Sequence, residues 1–194
     1  MTLQPTDKEI IRSVREGDVQ AFGLLVDKYQ HMVYTLAVRV VKNREIAEEV
    51  AQDAFVKAFE ALEGFKGESK FSTWLYRIAY YRALDVSDRE KRKWRVTHEV
   101  AVEDNPAASA NTTWTALMDE ERGEFIKTVL DSLTEEDRSV LSLHYLQELS
   151  LKEVGEIMGL QPNTVKIRLY RARQRMLTFI QEHQCDKWLQ NYGS

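Results

Sequence analysis

Residues 150–175 constrain the fold more tightly than any other stretch of this chain. Ser150 is placed to cap a helix, and Glu153, three residues on, completes a capping box. Val154, Ile157 and Met158 then form one apolar face. Gly159 can take the left-handed conformation that ends a helix. Pro162 suits the first turn of the next helix, where no backbone donor is needed. Val165, Leu169, Ala172 and Met176 follow at spacings of four, three and four and make one buried stripe. Two helices joined by so short a turn form a helix-turn-helix, a unit that fits the DNA major groove.

The outer face of the second helix carries the chemistry. At about 100° per residue, the apolar stripe points inward while Asn163, Thr164, Ile167, Tyr170, Arg171 and Gln174 point away from it. Lys166, Arg168, Arg173 and Arg175 lie on the flanks, and no acidic residue occurs between Lys166 and Gln181. A solvated helix in an ordinary bundle interleaves Glu with its cations; this one is positive all round its outer surface, which suits a phosphate-lined groove. Ile167 can neither donate nor accept a hydrogen bond, and rests against a thymine methyl in this reading. The formal charge of the whole chain is only −4, so its basic residues are concentrated in places. This is not a uniformly basic coat for nucleic acid.

Helical periodicity runs through most of the chain. Thr6 and Glu9 form a capping box ahead of Ile10, Ile11 and Val14, and Gly17-Asp18 breaks that helix and caps the next. Phe22, Leu25, Val26, Tyr29, Val33, Leu36, Ala37 and Val40 repeat at helical spacing. A third helix is expected from about Arg44 to Leu62, with Ile46, Val50, Ala54, Ala58 and Leu62 inward. Gly64 and Gly67 mark a loop, and a fourth helix is expected from Ser72 to Trp94. Residues 97–115 are poor in large apolar side chains and read as a linker. Periodicity resumes near Leu117, with Phe125, Val129 and Leu130 on one helix. Thr134 then caps another, whose Val140, Leu141, Leu143, Tyr145 and Leu146 are expected to pack against the helix-turn-helix. Only three prolines and eight glycines interrupt the chain, 43% of it is hydrophobic, and no strand-like alternation of useful length occurs. The fold class is therefore all-α: two small helical domains joined by a flexible linker, the second ending in the helix-turn-helix.

Residues 64–95 bring aromatic rings and positive charge together. Phe65, Phe71, Trp74, Tyr76, Tyr80, Tyr81 and Trp94 are interleaved with Lys66, Lys70, Arg77, Arg82, Arg89, Lys91, Arg92, Lys93 and Arg95. Rings can stack on unpaired bases while cations hold the backbone. Phe71, Trp74 and Ile78 read as core residues at helical spacing. Tyr80, Tyr81 and the Lys91–Lys93 cluster are harder to place in a core.

The two blocks together resemble the bacterial RNA polymerase sigma factors of the extracytoplasmic-function type (sigma-70 superfamily, group 4). Residues 18–22 are similar to the family's opening motif, 47–59 to its polymerase-binding helix and 65–79 to its promoter-melting segment. Residues 133–138 and the helix-turn-helix complete the match. The resemblance implies a division into a region 2-like domain over 1–96, a linker over 97–116, a region 4-like domain over 117–184 and a tail over 185–194. It implies that Glu48, Glu49, Gln52, Asp53 and Lys57 dock on the polymerase clamp. Lys66, Lys70, Ser72, Trp74, Arg77, Tyr81, Arg82 and Asp85 would bind the minus-10 element and hold an extruded base. Asn163, Thr164, Lys166, Ile167, Arg168, Tyr170, Arg171, Arg173 and Gln174 would read the minus-35 element. Many relatives carry Asn where Tyr81 stands. Tyr81 either recognises its nucleotide by stacking or leaves the reading to another residue. The implied partners are core RNA polymerase, promoter DNA both duplex and melted, and an anti-sigma factor of the kind often anchored in a membrane.

Other classes fit less of the chain. A helix-turn-helix regulator acting without polymerase explains the second block but not the aromatic–basic first block. An enzyme is not indicated: His31, His98, His144 and His183 are scattered, and neighbouring carboxylates such as Glu48-Glu49 and Glu135-Glu136-Asp137 point apart on a helix. No catalytic residue, metal site or cofactor is expected. Cys185 is the sole cysteine, which excludes an internal disulfide; it reads as a tail residue. No apolar run approaches membrane-spanning length, and the N-terminus lacks a signal-type apolar core, so no direct membrane insertion and a cytoplasmic location are expected.

Overall fold

Local capping chemistry sets most helix boundaries. The computed structural model describes residues 5–97 and 128–182, and every regular element among them is helical. Thr6 and Glu9 make the expected capping box at the start of α1 (Asp7–Arg15). The Asp18 side chain accepts from the Ala21 N–H and opens a 3₁₀ turn (Val19–Ala21) that leads into α2 (Phe22–Val41). Lys42 ends α2 in the left-handed region at φ 57°, and Asn43 then caps α3 (Arg44–Glu60) through the Ile46 N–H. A second 3₁₀ turn (Leu62–Gly64) precedes the loop to α4 (Phe71–Thr97).

Helices α2, α3 and α4 pack against one another. Leu25, Val33, Leu36 and Val40 of α2 are almost wholly buried, each such side chain contributing about 1.5–3 kcal/mol. The inward face of α3 is largely alanine (Ala47, Ala51, Ala54 and Ala58), so its neighbours approach closely. Phe71, Leu75, Tyr76 and Ala79 of α4 close the core. Arg15 ties α1 to the far side of the bundle: its Nη2 donates to the carbonyls of Leu62 and Phe65 at 2.7 and 2.6 Å. This fixes the point where the 65–70 loop departs.

In the second unit, residues 128–131 are helical and Val129 is buried. Thr134 caps α5 (Glu135–Leu141) through the Asp137 N–H, and a π-helical turn (Ser142–Leu146) follows. The helix-turn-helix consists of α6 (Leu151–Met158) and α7 (Pro162–Glu182). Ser150 and Glu153 form the expected capping box, and Gly159 adopts φ 68°. Gly155 is required for a different reason: a Cβ there would lie 2.5 Å from the Leu160 carbonyl oxygen. Arg138, only 4% exposed, donates to the carbonyls of Leu130 and Leu133 and so shapes the approach to α5.

The π turn corrects one expectation. Leu143 is buried, but Tyr145 and Leu146 are 49% and 48% exposed. A π turn holds more residues than an α turn, so the apolar register fails there and these two side chains face outward. Met176 is likewise half-buried, unlike Val165, Leu169 and Ala172. The expected linker beyond residue 97, the helix near Leu117 with Phe125, and Cys185 lie outside the described residues.

The two units meet along α4 and α6 and along α2 and α5. Arg138 Nη1 donates to the Arg39 carbonyl at 2.9 Å, and Tyr76 Oη to Gln147 Oε1 at 2.8 Å. Lys42 pairs with Asp131 at 3.0 Å and Lys70 with Glu153 at 2.8 Å. Lys91 pairs with Glu135, which also accepts from Ser87 at 3.1 Å. The buried apolar residues of both units form one continuous cluster.

Candidate nucleic-acid interface

The loop between Gly64 and Lys70 stands over an aromatic base. Phe65, Phe71 and Trp74 pack with ring centroids 5.0–5.8 Å apart. A cavity of about 560 Å³ opens between this loop and α4, lined by Lys66, Ser69, Thr73, Trp74, Arg77 and, from α6, Glu156. Phe71 is core, as the spacing indicates, while Trp74 and Ile78 are only half-buried and keep an edge at the surface.

A second recess, of about 460 Å³, lies on the other side of Trp74 and Arg77. Lys57, Ile78, Tyr81, Arg82 and Asp85 complete its wall. Tyr81 is 44% exposed, and the Arg77 guanidinium lies 5.9 Å from its ring centroid. That geometry leaves part of the ring at the surface and brings a cation beside it. Tyr80 behaves differently. It is 3% exposed, and burial together with the Glu136 carboxylate pushes its hydroxyl up to about 12. In sequence Tyr80 is as hard to place in a core as Tyr81, yet one step around the helix turns it into the junction with the second unit.

The cations here are not all free. Arg82 donates to Asp53 at 2.8 and 2.5 Å and to Asp85 at 3.2 Å, and Arg89 pairs with Asp85 at 3.0 Å. A residue assigned to polymerase and one assigned to promoter DNA are thus partners. Lys70 is exposed, but its ammonium is held by Glu153. The Lys70 bond, with those from Ser150, keeps the Glu153 carboxyl down at about 2. Lys66 is exposed and Ser72 half-buried at the loop's end.

On α3, Glu48, Glu49, Gln52 and Lys57 are exposed on an outward face, and Asp53 stands at its edge. The sequence reading missed the part that α2 plays here. A groove between α2 and α3 is lined by Gln30, His31, Tyr34, Glu48, Gln52 and Phe55. Only the pairing of the two helices, not the periodicity of either, could have shown it.

On α7, Asn163, Thr164, Lys166, Ile167, Tyr170, Arg171, Arg173 and Gln174 are exposed, with Val165, Leu169 and Ala172 buried beneath them. Ile167 is 51% and Tyr170 58% exposed. The acidic turn at the start of α5 supplies counter-charges: Glu136 pairs with Arg168 and Asp137 with Arg175. Arg173 Nη1 donates to Tyr145 Oη at 2.6 Å. Lys166 and Arg171 have no ion pair or hydrogen bond among the described residues.

Comparison with known proteins places this geometry. Residues 25–95 match the family described as Sigma-70 region 2, and residues 126–176 match Sigma-70, region 4. The chain is 36% identical over 180 residues to the RNA polymerase sigma-H factor of Pseudomonas aeruginosa, covering 90% of this chain and 93% of that one. It is 34% identical to the ECF RNA polymerase sigma-E factor of Escherichia coli K12, covering 90% and 94%. The solved structure of CnrH in complex with the cytosolic domain of CnrY shares the fold, with a TM-score of 0.67 at 22% identity, covering 91% of this chain and 97% of that one.

Proposed function

The chain belongs to the extracytoplasmic-function sigma factors of the sigma-70 family, and from that premise we propose that it binds core RNA polymerase and directs promoter-specific initiation. The observation that carries the reading is the pair of recesses flanking Trp74 and Arg77. Each combines a ring with cations, which is the chemistry of single-strand capture. Both lie on the same body as a helix built to enter a duplex major groove.

The outward face of α3 serves as the docking surface, with Glu49 at its centre, Glu48 and Gln52 towards α2, and Asp53 and Lys57 towards α4. The loop and α4 residues (Lys66, Lys70, Ser72, Trp74, Arg77, Tyr81, Arg82 and Asp85) take the melted minus-10 strand. Tyr81 acts there by stacking, because its exposed ring lies beside the Arg77 cation. On α7, Asn163, Thr164, Ile167, Tyr170, Arg171 and Gln174 face the minus-35 base edges, and Lys166, Arg168 and Arg173 the phosphates. The division into 1–96, 97–116 and 117–184 is supported by the limits of the two family matches, which end at 95 and begin at 126. An anti-sigma factor covering these faces is the proposed means of silencing, and no step calls for a catalytic group or cofactor. Among the described residues no helix is long and apolar enough to cross a membrane; the cytoplasmic location follows from the partnership with polymerase.

Reconstitution with core polymerase tests the reading. Transcripts should start downstream of promoters with two spaced elements and should require this chain. Tight binding to one duplex sequence in the absence of polymerase, with no stimulated transcription, would instead identify a helix-turn-helix regulator acting alone.

A further inference from the structure

Arg82 forms part of the wall beside Trp74 and Tyr81, and its guanidinium is engaged on two sides. Nε and Nη2 both donate to a single oxygen, Asp53 Oδ2, at 2.8 and 2.5 Å. Nη1 donates to Asp85 Oδ2 at 3.2 Å. The Arg82 side chain is 20% exposed and that of Asp53 is 46% exposed. A planar fork held along one edge has its orientation fixed, which a single contact would not achieve. The two carboxylates come from different helices: Asp85 from α4 itself, and Asp53 from α3.

Asp53 therefore faces two ways. Its Oδ2 holds the recess wall, and its Oδ1 bonds to no described residue. Asp53 follows Gln52 on α3, and Lys57, one turn later, lines the same recess as Arg82. Glu49, one turn earlier on that outward face, makes no such link. We propose that Asp53 is a positioning residue for promoter opening: it holds Arg82 in the wall of the strand-binding recess and joins that recess to the polymerase-docking face. The proposal rests on the sigma-factor reading. Without the Asp53 carboxylate, Arg82 is left to Asp85 alone on its own helix, and its charge moves away from Trp74 and Tyr81.

The test uses the full chain with core polymerase and a promoter carrying 2-aminopurine in the melted stretch. Affinity for core polymerase is read by anisotropy of the labelled chain, and strand opening by fluorescence at saturating polymerase. At polymerase concentrations that saturate binding, where any loss of core affinity is overcome, Asp53→Ala should slow opening about tenfold. Arg82→Ala should match it, and the double variant should be no slower than either single one. Asp53→Glu, which keeps the carboxylate, should recover most of the rate. Glu49→Ala should instead lower core affinity, a defect that excess polymerase overcomes. Asp53→Asn, isosteric and uncharged, is the second variant if alanine lowers the melting temperature. If Asp53→Ala behaves like Glu49→Ala, or if the Asp53 and Arg82 defects add, the proposal is overturned while the sigma-factor reading stands. A wild-type chain that opens no promoter with polymerase would overturn both.

Discussion

Gly155→Ala tests whether the helix-turn-helix is held by close backbone approach or by its apolar stripe alone. On propensity, alanine in a helix interior should stabilise the chain by about 0.5–1 kcal/mol relative to glycine. The geometry opposes this. The new Cβ would lie 2.5 Å from the Leu160 carbonyl oxygen and 3.7 Å from Val165 Cγ2, whereas ordinary contact begins at 3.4 Å. The first of these is a backbone atom and cannot rotate away. Leu160 is also pinned by its own N–H, which donates to the Gly155 carbonyl at 2.8 Å, and that carbonyl accepts from Gly159 as well. Relieving the overlap means moving the turn and with it the start of α7. Overpacking of this kind costs about 1–3 kcal/mol, more than propensity returns. The expected net is a loss of about 1–2 kcal/mol, read as a lower urea midpoint with unchanged slope. Transcription from promoters that depend on the upstream element should fall further than stability does, because α7 is displaced. A variant as stable as wild type, or more stable, would refute the packing argument.

Three further outcomes follow from the structure. Arg138→Met removes donors to Leu130, Leu133 and Arg39 and should destabilise the chain by about 3 kcal/mol in urea unfolding, since buried acceptors are left without a partner. The Glu153 carboxyl titrates near 2 instead of its ordinary 4.5, chiefly through the Lys70 bond; its stabilising effect is complete above about 4.5 and is lost as the pH falls towards about 2. Glu153→Gln should therefore flatten the acid limb of a melting-temperature profile over that interval, and an unchanged limb would show that the pair does not form in solution. Arg171→Ala should relax sequence preference in the upstream element by about 1–3 kcal/mol, whereas Arg173→Ala should weaken all sequences alike and lower the salt slope by about one. In-vitro transcription over a library of upstream elements at two salt concentrations separates them, and identical uniform losses would refute the assignment.

The sequence made the fold legible where the physics is local. The caps at Thr6, Asp18, Thr134 and Ser150 each act across three residues, and all of them form. The buried stripes of α2 and α7 follow from a single helix's periodicity. What escaped was pairing at a distance. Asp53 and Arg82 are 29 positions apart, and Arg138 and the Arg39 carbonyl 99 apart. Periodicity says which face is apolar, not which element lies against it. Tyr80 could be placed in the core only by knowing that the second unit covers that side of α4. Tyr145 and Leu146 were misread because a π turn shifts the register without any proline or glycine to announce it.

The same limit bears on the basic helix. In sequence, its lack of interleaved glutamate points to phosphate binding, since an ordinary solvated helix pairs its own charges. The structure shows that the counter-charges exist but sit on another element, at Glu136 and Asp137 of α5. Arg168 and Arg175 are neutralised within the protein, and a charge already paired releases fewer counterions when DNA arrives. Lys166 and Arg171 keep their full charge on the exposed face. The acidic turn therefore sorts the cations of one helix, holding Arg168 and Arg175 to the protein and leaving Lys166 and Arg171 unpaired among the described residues. A helix that paired its charges internally could not divide them in this way.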